Sequence, residues 1–285
     1  MNTDPQQLQQ DISSNVARAL NEDIGSGDIT AQLIPVENKA RAIIITRENA
    51  VICGIPWVNE VFAQLDPDTR LDWTVAEGDE ITAGQTLCKL NGKARTLLTG
   101  ERAALNFLQT LSGTASVARH YSSLVSDSDI TILDTRKTLP GLRLAQKYAV
   151  QVGGCQNHRM GLYDAFLIKE NHIAACGGIR KAIALARVVS PHKPVEIEVE
   201  NLDECQHALD TGAERIMLDN FSLSDVKKAV ALRDNQRGTR RTELEVSGNI
   251  DDETVKNYRG SGIDFISSGA LTKHCRAVDY SMRLI

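Results

Sequence analysis

The sequence contains no long apolar run. Of its 285 residues 42% are hydrophobic and 24% are charged, yet no stretch approaches the ~20 consecutive apolar residues that a membrane-spanning helix needs. The first residues have neither the basic nor the apolar segment of a signal peptide. We therefore expect a cytoplasmic protein, with one large domain or two unequal ones.

The sequence also lacks cysteine pairs. Its six cysteines are scattered, and no CxxC or CxxC…H spacing occurs. This pattern indicates neither a zinc site nor a redox pair, and it predicts reduced, mostly buried thiols.

An excess of positive charge is missing as well. The formal net charge is -5, which argues against a nucleic-acid-binding surface and provides no overall field that attracts anions. If the ligands are anionic, basic residues must be concentrated locally.

The first part of the chain is predicted to be rich in β-structure. A polar helix is expected over 6–21. From about residue 40 to 98, short β-branched runs alternate with turns that contain glycine, such as Gly78 and Gly84. Apolar residues then recur with helical spacing from Gly100 to about Val125. This long helix marks a boundary in the chain.

Beyond that boundary, a strand followed by a helix is repeated. The predicted strands are 130–134, 165–169, 195–199, 215–219, 243–247 and 265–268. This repeat is typical of parallel βα units. About 150 residues at roughly 25 per unit give six units, fewer than the eight of a closed barrel. We predict an open, incomplete parallel α/β barrel, with a flat doubly wound sheet as the alternative.

Polar residues stand at the carboxyl end of every predicted strand, where a parallel barrel carries its chemistry. In chain order they are Asp134 with Arg136 and Lys137, then Lys169, Glu198, Asp219, Ser247 with Gly248, and Ser268 with Gly269. One such residue is usually only solvated. Because all six predicted strands end in polar residues, we predict that these residues form a functional rim.

The rim residues suggest particular ligands. Ser247-Gly248-Asn249 and Ser268-Gly269 stand before predicted helix starts, where backbone N–H groups and the helix dipole favour phosphate. Glu198 and Asp219 offer the hard oxygen ligands that Mg²⁺ accepts when it also binds phosphates.

The positively charged residues of the rim are available to bind further anionic groups of the ligands. They are Arg136, Lys137, His158, Arg159 and Lys169. Arginines suit carboxylates because their planar fork gives two parallel hydrogen bonds. A phosphate, a metal-bound diphosphate and an acceptor rich in carboxylates would therefore share one cavity.

Simpler interpretations stay open. Lys169 and Glu198 are also explained by a structural ion pair between neighbouring strands. His158 and His172 are also explained as polar residues that flank helices. Spacing alone does not choose among Glu196, Glu198 and Glu200, which alternate onto one face of their strand. Turns with serine and glycine are common connectors.

Several motifs resemble those of quinolinate phosphoribosyltransferases. The longest are Asp134-Thr135-Arg136-Lys137-Thr138-Leu139-Pro140-Gly141-Leu142-Arg143 and Asn157-His158-Arg159-Met160-Gly161-Leu162-Tyr163-Asp164, the latter continued by Lys169-Glu170-Asn171-His172. Shorter ones begin at Glu101, Glu196, Leu218, Glu245 and Ser268. The resemblance runs in order along nearly the whole chain.

The resemblance implies an architecture. It comprises an N-terminal α/β sandwich domain with its connecting helix (1–112), an open α/β barrel catalytic domain (113–274), and a C-terminal tail (275–285) that packs back on the first domain. It also implies a homodimer in which the partner subunit completes each active site.

The resemblance further implies the role of each residue. Arg136, His158 and Arg159 would bind the two carboxylates of quinolinate, together with Arg102 from the partner subunit. Lys137 and Lys169 would lie between the acceptor and the diphosphate. Glu198 and Asp219 would hold Mg²⁺ and ribose hydroxyls. The 5-phosphate would lie at the last two strands, on Ser247, Gly248, Asn249, Ser268 and Gly269.

The implied reaction joins quinolinate to phosphoribosyl pyrophosphate and releases carbon dioxide, a step of de novo NAD biosynthesis. Three alternatives are weighed against it. One is a phosphoribosyltransferase that acts on nicotinate or another acid without decarboxylation, and another is a Schiff-base lyase or aldolase with Lys169 as the amine. The third is a non-catalytic binding module, because the stretch 78–90 superficially resembles a biotinyl or lipoyl hairpin, although no lysine lies at a matching turn.

Overall fold

The computed structural model describes residues 4–236 and 241–285. These residues divide into two compact units. The parallel-sheet unit comprises the described residues of Tyr121–Lys137 and Cys155–Ala270. The antiparallel-sheet unit comprises those of Asn2–His120, Thr138–Gly154 and Leu271–Ile285. Each is described separately below.

The antiparallel-sheet unit begins with helix α1, Pro5–Ile24, and a 3-10 helix, Ala31–Leu33. Its later elements are β1 Lys39–Thr46, β2 Ala50–Val51, α2 Ile55–Leu65, β3 Arg70–Trp73, β4 Glu80–Ile81, β5 Thr86–Lys93, α4 Arg143–Val152 and β12 Tyr280–Leu284. Among the described residues, the main sheet has the order β12-β1-β5-β3, and β2 pairs with β4. The neighbours are antiparallel.

The β-rich prediction for 40–98 is correct for the strands but missed helix α2. The Gly54-Ile55-Pro56 start explains the helix, because proline is favoured in the first turn. Trp57, Val58, Val61 and Phe62 then recur with helical spacing, and all four are fully buried. This helix supplies much of the unit's apolar core.

A long helix, α3, spans Ala94–Ser123. It begins six residues before the predicted start at Gly100, because the preceding strand leads directly into it. Gly100 itself lies where a side chain would not fit, since a Cβ there would meet the Phe62 ring at 2.7 Å. The backbone of α3 therefore approaches α2 closely at this residue.

The strands of the parallel-sheet unit are β6 Thr131–Leu133, β7 Phe166–Ile168, β8 Val195–Val199, β9 Arg215–Asp219, β10 Glu243–Ser247 and β11 Phe265–Ser267. The helices between them are α5 Glu170–Cys176, α6 Ile179–Val189, α7 Leu202–Thr211, α8 Leu223–Asp234 and α9 Asp252–Asn257, and α10, Ala270–Lys273, follows β11. All six predicted strands are present within two residues of their predicted ends.

The strand order supports an open barrel. Within the described residues, the sheet runs β6-β11-β10-β9-β8-β7, and every pair is parallel. The first strand therefore pairs with the last, as it does when a sheet closes on itself. No pairing joins β6 to β7 among these residues, so the barrel is open there. A doubly wound sheet would instead reverse its strand order near the middle.

The predicted strand–helix repeat is present along the chain, since α4 follows β6 as a helix follows each later strand of the parallel sheet. However, α4 belongs to the antiparallel-sheet unit, so the first helix of the repeat is not part of the parallel-sheet unit.

The two faces of the parallel sheet differ in polarity. In β8, Val195, Ile197 and Val199 are buried apolar residues, while Glu196 and Glu198 alternate with them. A similar alternation continues in β9 and β10, except that the apolar Met217 lies between Arg215 and Asp219 on the charged face. Parallel strands covered on both faces usually read as continuous apolar runs. Here one face carries the apolar residues and the other is lined by charged ones.

The unit boundaries differ from a simple division of the sequence. Whereas the prediction assigns all of 113–274 to the barrel, the compact parallel-sheet unit leaves out 138–154. In the predicted tail of 275–285, β12 pairs with β1 from Ala42↔Leu284 to Thr46↔Tyr280. In the described part of the chain, every helix is too short or too polar to cross a membrane.

Candidate active site

The predicted rim residues lie at one edge of the parallel sheet. Lys169 directly follows β7, Glu198 lies near the end of β8, Asp219 ends β9 and Ser247 ends β10. Because the strands are parallel and adjacent, their carboxyl ends share an edge. The fold therefore brings together residues that are far apart in the sequence.

Lys169 and Glu198 form an ion pair. The Lys169 Nζ lies 2.5 Å from Glu198 Oε2. Their side chains are 43% and 11% exposed, so the pair lies at the rim and is reached by solvent. The pairing follows from the register, since Ile168 is opposite Ile197. The predicted ion pair is present, at a position open to a ligand.

The structure distinguishes the three glutamates that spacing did not separate. Glu196 is buried, with 6% exposure, while Glu198 is partly exposed at the rim. Glu200 lies beyond the end of β8, is exposed, and donates its backbone N–H to Glu204. Only Glu198 combines a rim position with a cationic neighbour from the predicted set.

Asp219 and Gly248 are connected through Asn220. The Asn220 side chain donates to Asp219 Oδ2 at 2.8 Å, and a Cβ on Gly248 would lie 2.2 Å from Asn220 Oδ1. Gly248 has φ of 105°, which also favours glycine. In the sequence, this glycine belongs to a turn that is predicted to favour phosphate. The structure adds a reason for glycine at this position, which is space for Asn220.

The two Ser–Gly turns differ from each other. Asn249 has φ of 42°, and α9 begins only at Asp252, capped by Asp251. The second turn leads directly into α10, a helix of four residues, and Ser268 Oγ accepts the backbone N–H of Ala270 at 3.2 Å. The predicted helix start thus immediately follows Gly269 but not Gly248.

Arg159 is buried, with 9% exposure, and lies close enough to Arg136 for the charge of Arg136 to affect its pKa. Burial lowers the pKa of Arg159, and the positive charge of Arg136 lowers it further, while Glu196 and Asp164 oppose this shift. The positive charge of Arg159 is therefore only partly compensated by the nearby carboxylates.

Other predicted residues differ in exposure. Lys137 is exposed, and its backbone N–H donates to Thr135 Oγ1 at 3.1 Å. His172 accepts the backbone N–H of Lys169 at 3.0 Å through Nδ1, so it caps the start of α5, as the simpler interpretation suggested. Arg102 is exposed on α3 in the antiparallel-sheet unit.

A buried charged layer lies on the same face of the sheet, below the rim. Glu245 is fully buried on β10, and Arg215 on β9 contacts it at 3.3 Å. Arg215 also bonds Glu243 at 3.0 Å and lies 3.9 Å from the centre of the Phe265 ring. No role is predicted for Arg215, Glu243 or Glu245 from the sequence. The signal was present, because charged residues alternate with apolar ones in strands expected to be buried.

Electrostatics in this layer are strongly perturbed. Burial raises the pKa of Glu245, and the neighbouring Glu196 raises it further. Burial likewise raises the pKa of Glu196. Burial alone would lower the pKa of Arg215, but the carboxylates of Glu196, Glu245 and Glu243 raise it. Removing charged groups from water disfavours their charged forms, and only opposite charges compensate.

The donor set at the rim fits a magnesium ion. Glu198 and Asp219 lie on adjacent strands, and both provide oxygen ligands near solvent. Mg²⁺ usually takes one or two carboxylates and completes its shell with water and phosphate oxygens. The buried layer below fits such an ion less well, because it is nearly closed to solvent.

Together, the open parallel barrel and its rim of cations, carboxylates and Ser–Gly turns define an α/β-barrel enzyme for anionic substrates. Comparison with protein families then narrows this class. Residues 28–112 match the quinolinate phosphoribosyl transferase N-terminal domain, and residues 114–283 match its C-terminal domain. The chain belongs to the quinolinate phosphoribosyltransferase family.

Individual relatives agree with this assignment. A probable nicotinate-nucleotide pyrophosphorylase [carboxylating] of Synechocystis sp. is 39% identical, covering 93% of this chain and 90% of its own length. Quinolinate phosphoribosyltransferase [decarboxylating] 1 of Nicotiana glauca is 38% identical and covers 96% of this chain and 82% of its own. The solved nicotinate-nucleotide pyrophosphorylase from Francisella tularensis superposes with a TM-score of 0.91 at 44% identity, covering 100% of this chain and 98% of that one.

Proposed function

We propose that this protein transfers the phosphoribosyl group of phosphoribosyl pyrophosphate to quinolinate. The products are nicotinate mononucleotide, diphosphate and carbon dioxide, and the reaction belongs to de novo NAD biosynthesis. The family assignment supports the reaction, since relatives carry this name. The residue roles below are inferred from the geometry of the rim and from the resemblance.

The observation that carries the proposal is the pair Arg136 and Arg159. Burial and the positive charge of Arg136 lower the pKa of Arg159, while Glu196 and Asp164 oppose this shift only in part. A ligand with two carboxylates would relieve the repulsion and accept bidentate hydrogen bonds. Quinolinate has two adjacent carboxylates, whereas nicotinate has one. The pair therefore favours the dicarboxylate acceptor.

The diphosphate of the donor would lie beside the acceptor. Lys137 and Lys169 supply positive charge there, and Glu198 and Asp219 would hold Mg²⁺ and the ribose hydroxyls. A bound Mg²⁺ would neutralise the departing diphosphate. Lys169 would then divide its hydrogen bonds between Glu198 and the leaving group, which is feasible because an ammonium group has three donors.

The 5-phosphate would be bound at the ends of β10 and β11. Ser247, Gly248 and Asn249 form one wall, and Ser268 with Gly269 forms the other. Positive φ values at Gly248 and Asn249 change the direction of the backbone there. Successive N–H groups in such turns can converge on an anion.

The chemistry needs charge and position rather than a nucleophilic side chain. The quinolinate ring nitrogen attacks C1 of the ribose, and the C1–O bond to diphosphate breaks. Positive charge on C1 and the ring oxygen develops as diphosphate leaves, so cations that neutralise the leaving group lower the barrier. The ribosylated ring is cationic, so it accepts the electron pair of the departing carboxylate. The carbon that loses carbon dioxide then takes a proton.

The assembly is part of the same proposal. We propose a homodimer in which Arg102 of one subunit reaches the acceptor in the partner's active site, and a location in the cytoplasm. The exposure of Arg102 on α3 supports its availability. The family resemblance supports the direction of its contribution.

The Schiff-base alternative is less compatible with the rim. It requires a neutral, desolvated lysine. Lys169 is instead 43% exposed and lies 2.5 Å from a carboxylate. Borohydride treatment with a carbonyl substrate should therefore trap no adduct.

A direct assay tests the proposed reaction. The protein is incubated with quinolinate, phosphoribosyl pyrophosphate and Mg²⁺, while nicotinate mononucleotide and carbon dioxide are measured. Equal amounts of both products are expected. A parallel assay with nicotinate tests the paralogous alternative, which would form the mononucleotide without carbon dioxide. Turnover of nicotinate but not quinolinate would refute the proposal.

A further inference from the structure

The loop that carries Arg159 is held by side chains. Residues 157–165 have neither helical nor strand structure, yet four consecutive backbone N–H groups have side-chain acceptors. Asp134 Oδ1 accepts from His158 at 2.9 Å, and His158 Nδ1 accepts from Arg159 at 2.8 Å. Asp164 accepts from Met160 at 2.6 Å and Gly161 at 2.9 Å. The loop's shape therefore depends on three side chains.

The His158 ring is oriented into the barrel. Its Nδ1 faces the backbone N–H of Arg159, so Nδ1 carries no proton and the neutral ring carries its proton on Nε2. Nε2 lies 2.8 Å from Glu196 Oε2 and 3.5 Å from Glu245 Oε2. The side chain is 8% exposed. Both ring nitrogens thus face protein atoms.

The same geometry argues against a metal ion at this cluster. His158, Glu196 and Glu245 each place a ligand atom within 4.8 Å of the others. A histidine that binds metal usually donates its other N–H to a neighbouring acceptor. Here the other nitrogen accepts a hydrogen bond. A protonated Nε2 cannot also bind a metal ion.

The carboxylates beneath the ring are fixed from below. Arg215 contacts Glu245 at 3.3 Å and lies opposite Glu196 in the register of β8 and β9, while Glu245 lies opposite Met217, two residues further along. Glu196 also acts directly on Arg159, because its negative charge raises the pKa of Arg159 against the effect of burial. A continuous chain of contacts therefore runs from the centre of the barrel to the Arg159 loop.

We propose that Glu196 and Glu245 are positioning residues that set the Arg159 guanidinium through the His158 ring. The inference rests on the proposed role of Arg159 as a ligand of the acceptor carboxylate. It also gives His158 a role different from the direct carboxylate contact that the family resemblance implies. The ring holds the loop backbone, and Arg159 touches the substrate.

Glu245 provides the sharpest test because it is fully buried and cannot touch a substrate. Glu245→Leu removes its polar contacts at similar volume, and Glu245→Gln keeps the shape and a hydrogen-bonding group. Glu243→Gln is the matched control, since Glu243 lies on the same strand and also binds Arg215, but its side chain is 45% exposed whereas that of Glu245 is fully buried beside His158. Binding of quinolinate alone and of phosphoribosyl pyrophosphate alone is measured by calorimetry for each variant.

We expect the quinolinate Kd to rise roughly 10–100-fold in Glu245→Leu, because a small misplacement of a binding group has effects of that order. Glu245→Gln should recover most of the loss, and Glu243→Gln should match wild type. The Kd for phosphoribosyl pyrophosphate should stay within a factor of about 3 throughout. Unchanged quinolinate binding in Glu245→Leu overturns the inference. An equal loss for both ligands also overturns it, because a purely structural role predicts that result.

Two further measurements separate the possible failures. If Arg159→Ala leaves quinolinate binding unchanged, the proposed role of Arg159 fails and the inference fails with it. If Arg159→Ala weakens binding but Glu245→Leu does not, only the inference fails. Nitrogen-15 NMR of the wild-type histidines, assigned with His158→Gln, reads the tautomer without relying on the folding of the Glu245→Leu variant. A neutral His158 ring protonated on Nε2 supports the inference, and a proton on Nδ1 contradicts it.

Discussion

Both sheets of this protein bury apolar side chains, but among the described residues only the parallel sheet also buries a layer of paired charged residues. The antiparallel-sheet unit has an apolar core that contains Trp57 and Phe62, both fully buried. The parallel-sheet unit instead places Glu196, Glu245 and Arg215 on one face of its sheet. Burial of charge contributes little to stability even when the charges are paired. The comparison predicts that the apolar core of the first unit contributes mainly to stability and that the charged face of the second contributes mainly to the proposed substrate site.

The largest expected effect concerns a residue that breaks this separation, since Arg102 lies in the antiparallel-sheet unit. Arg102→Ala and Lys169→Ala should each be nearly inactive. In mixed dimers, one site has both groups intact and the other lacks both. With random association about half of the dimers are mixed, so activity should recover to roughly a quarter of wild type, given two-fold symmetry. Co-refolding, with mixed dimers verified by a mass tag, measures this recovery.

The competing geometry gives a different result. If Arg102 served its own chain, each site of a mixed dimer would lack one group. Activity equal to the background of the two parents would then contradict the shared site and would indicate that Arg102 acts within its own subunit.

The next effect tests the stabilising role of the apolar core. Phe62→Ala should lower the free energy of unfolding by about 3–5 kcal/mol, because it leaves a cavity in a closely packed core. The kcat of the molecules that remain folded should change little. Chemical denaturation combined with active-site titration measures both quantities. Leu33→Ala is the control, because Leu33 is 83% exposed, and its stability should change by less than about 0.5 kcal/mol. A proportional loss of kcat per folded molecule in Phe62→Ala would contradict the separation.

Within the parallel-sheet unit, Arg159→Ala should reduce kcat/KM for quinolinate by at least ~100-fold. Removing one partner of a buried, charged hydrogen bond costs roughly 2–5 kcal/mol, and ~1.4 kcal/mol is tenfold. Affinity for phosphoribosyl pyrophosphate alone should change much less. Steady-state kinetics and a binding assay for the donor are the two measurements. Equal losses for both substrates would contradict the proposed position of Arg159 in the acceptor pocket.

Asp219→Asn should have a smaller effect, confined to the magnesium dependence. The variant removes one anionic oxygen ligand and almost no volume, so about tenfold more Mg²⁺ should be needed for half-maximal turnover. Quinolinate binding without metal should be nearly intact. Glu200→Gln is a suitable control, because Glu200 is exposed beyond β8. An unchanged magnesium titration would remove Asp219 from the proposed metal site.

The smallest effect is a change in the pH dependence of stability. Burial raises the pKa of Glu245 from 4.5 to about 8, so the folded state binds this proton more tightly than the unfolded state. The stability that the protonated side chain contributes is complete below pH 4.5 and is lost as pH rises through the folded pKa. Glu245→Gln does not ionise. Its stability relative to wild type should therefore increase by about 1 kcal/mol or more between pH 5 and 8.

Urea denaturation at a series of pH values measures that trend. Glu243→Gln should run parallel to wild type, because the Glu243 side chain is 45% exposed. A constant difference between Glu245→Gln and wild type across this range would show that Glu245 is already ionised in the folded protein.

Local patterns in the sequence were sufficient to predict the strands of the barrel and the residues at their ends. β-branched runs such as Val195–Val199 and Arg215–Asp219 coincide with their predicted bounds. The reason is that period-two alternation and flanking turns are properties of a few neighbouring residues. The same patterns predicted that Lys169, Glu198 and Asp219 would lie at one edge of the sheet, because parallel strands share a direction.

Tertiary structure decided what depends on distant parts of the chain. Strand β6 pairs with β11 and, among the described residues, not with β7, so the barrel is open between β6 and β7. Strand β1, near the start of the chain, pairs with β12, near its end. Tertiary structure also distinguished Glu196, which is buried beside His158, from Glu198, which reaches the rim. Alternation assigns both glutamates to one face, but depth within a barrel depends on all neighbouring strands. Arg215, supplied by another strand, compensates part of the cost of burying Glu196 and Glu245.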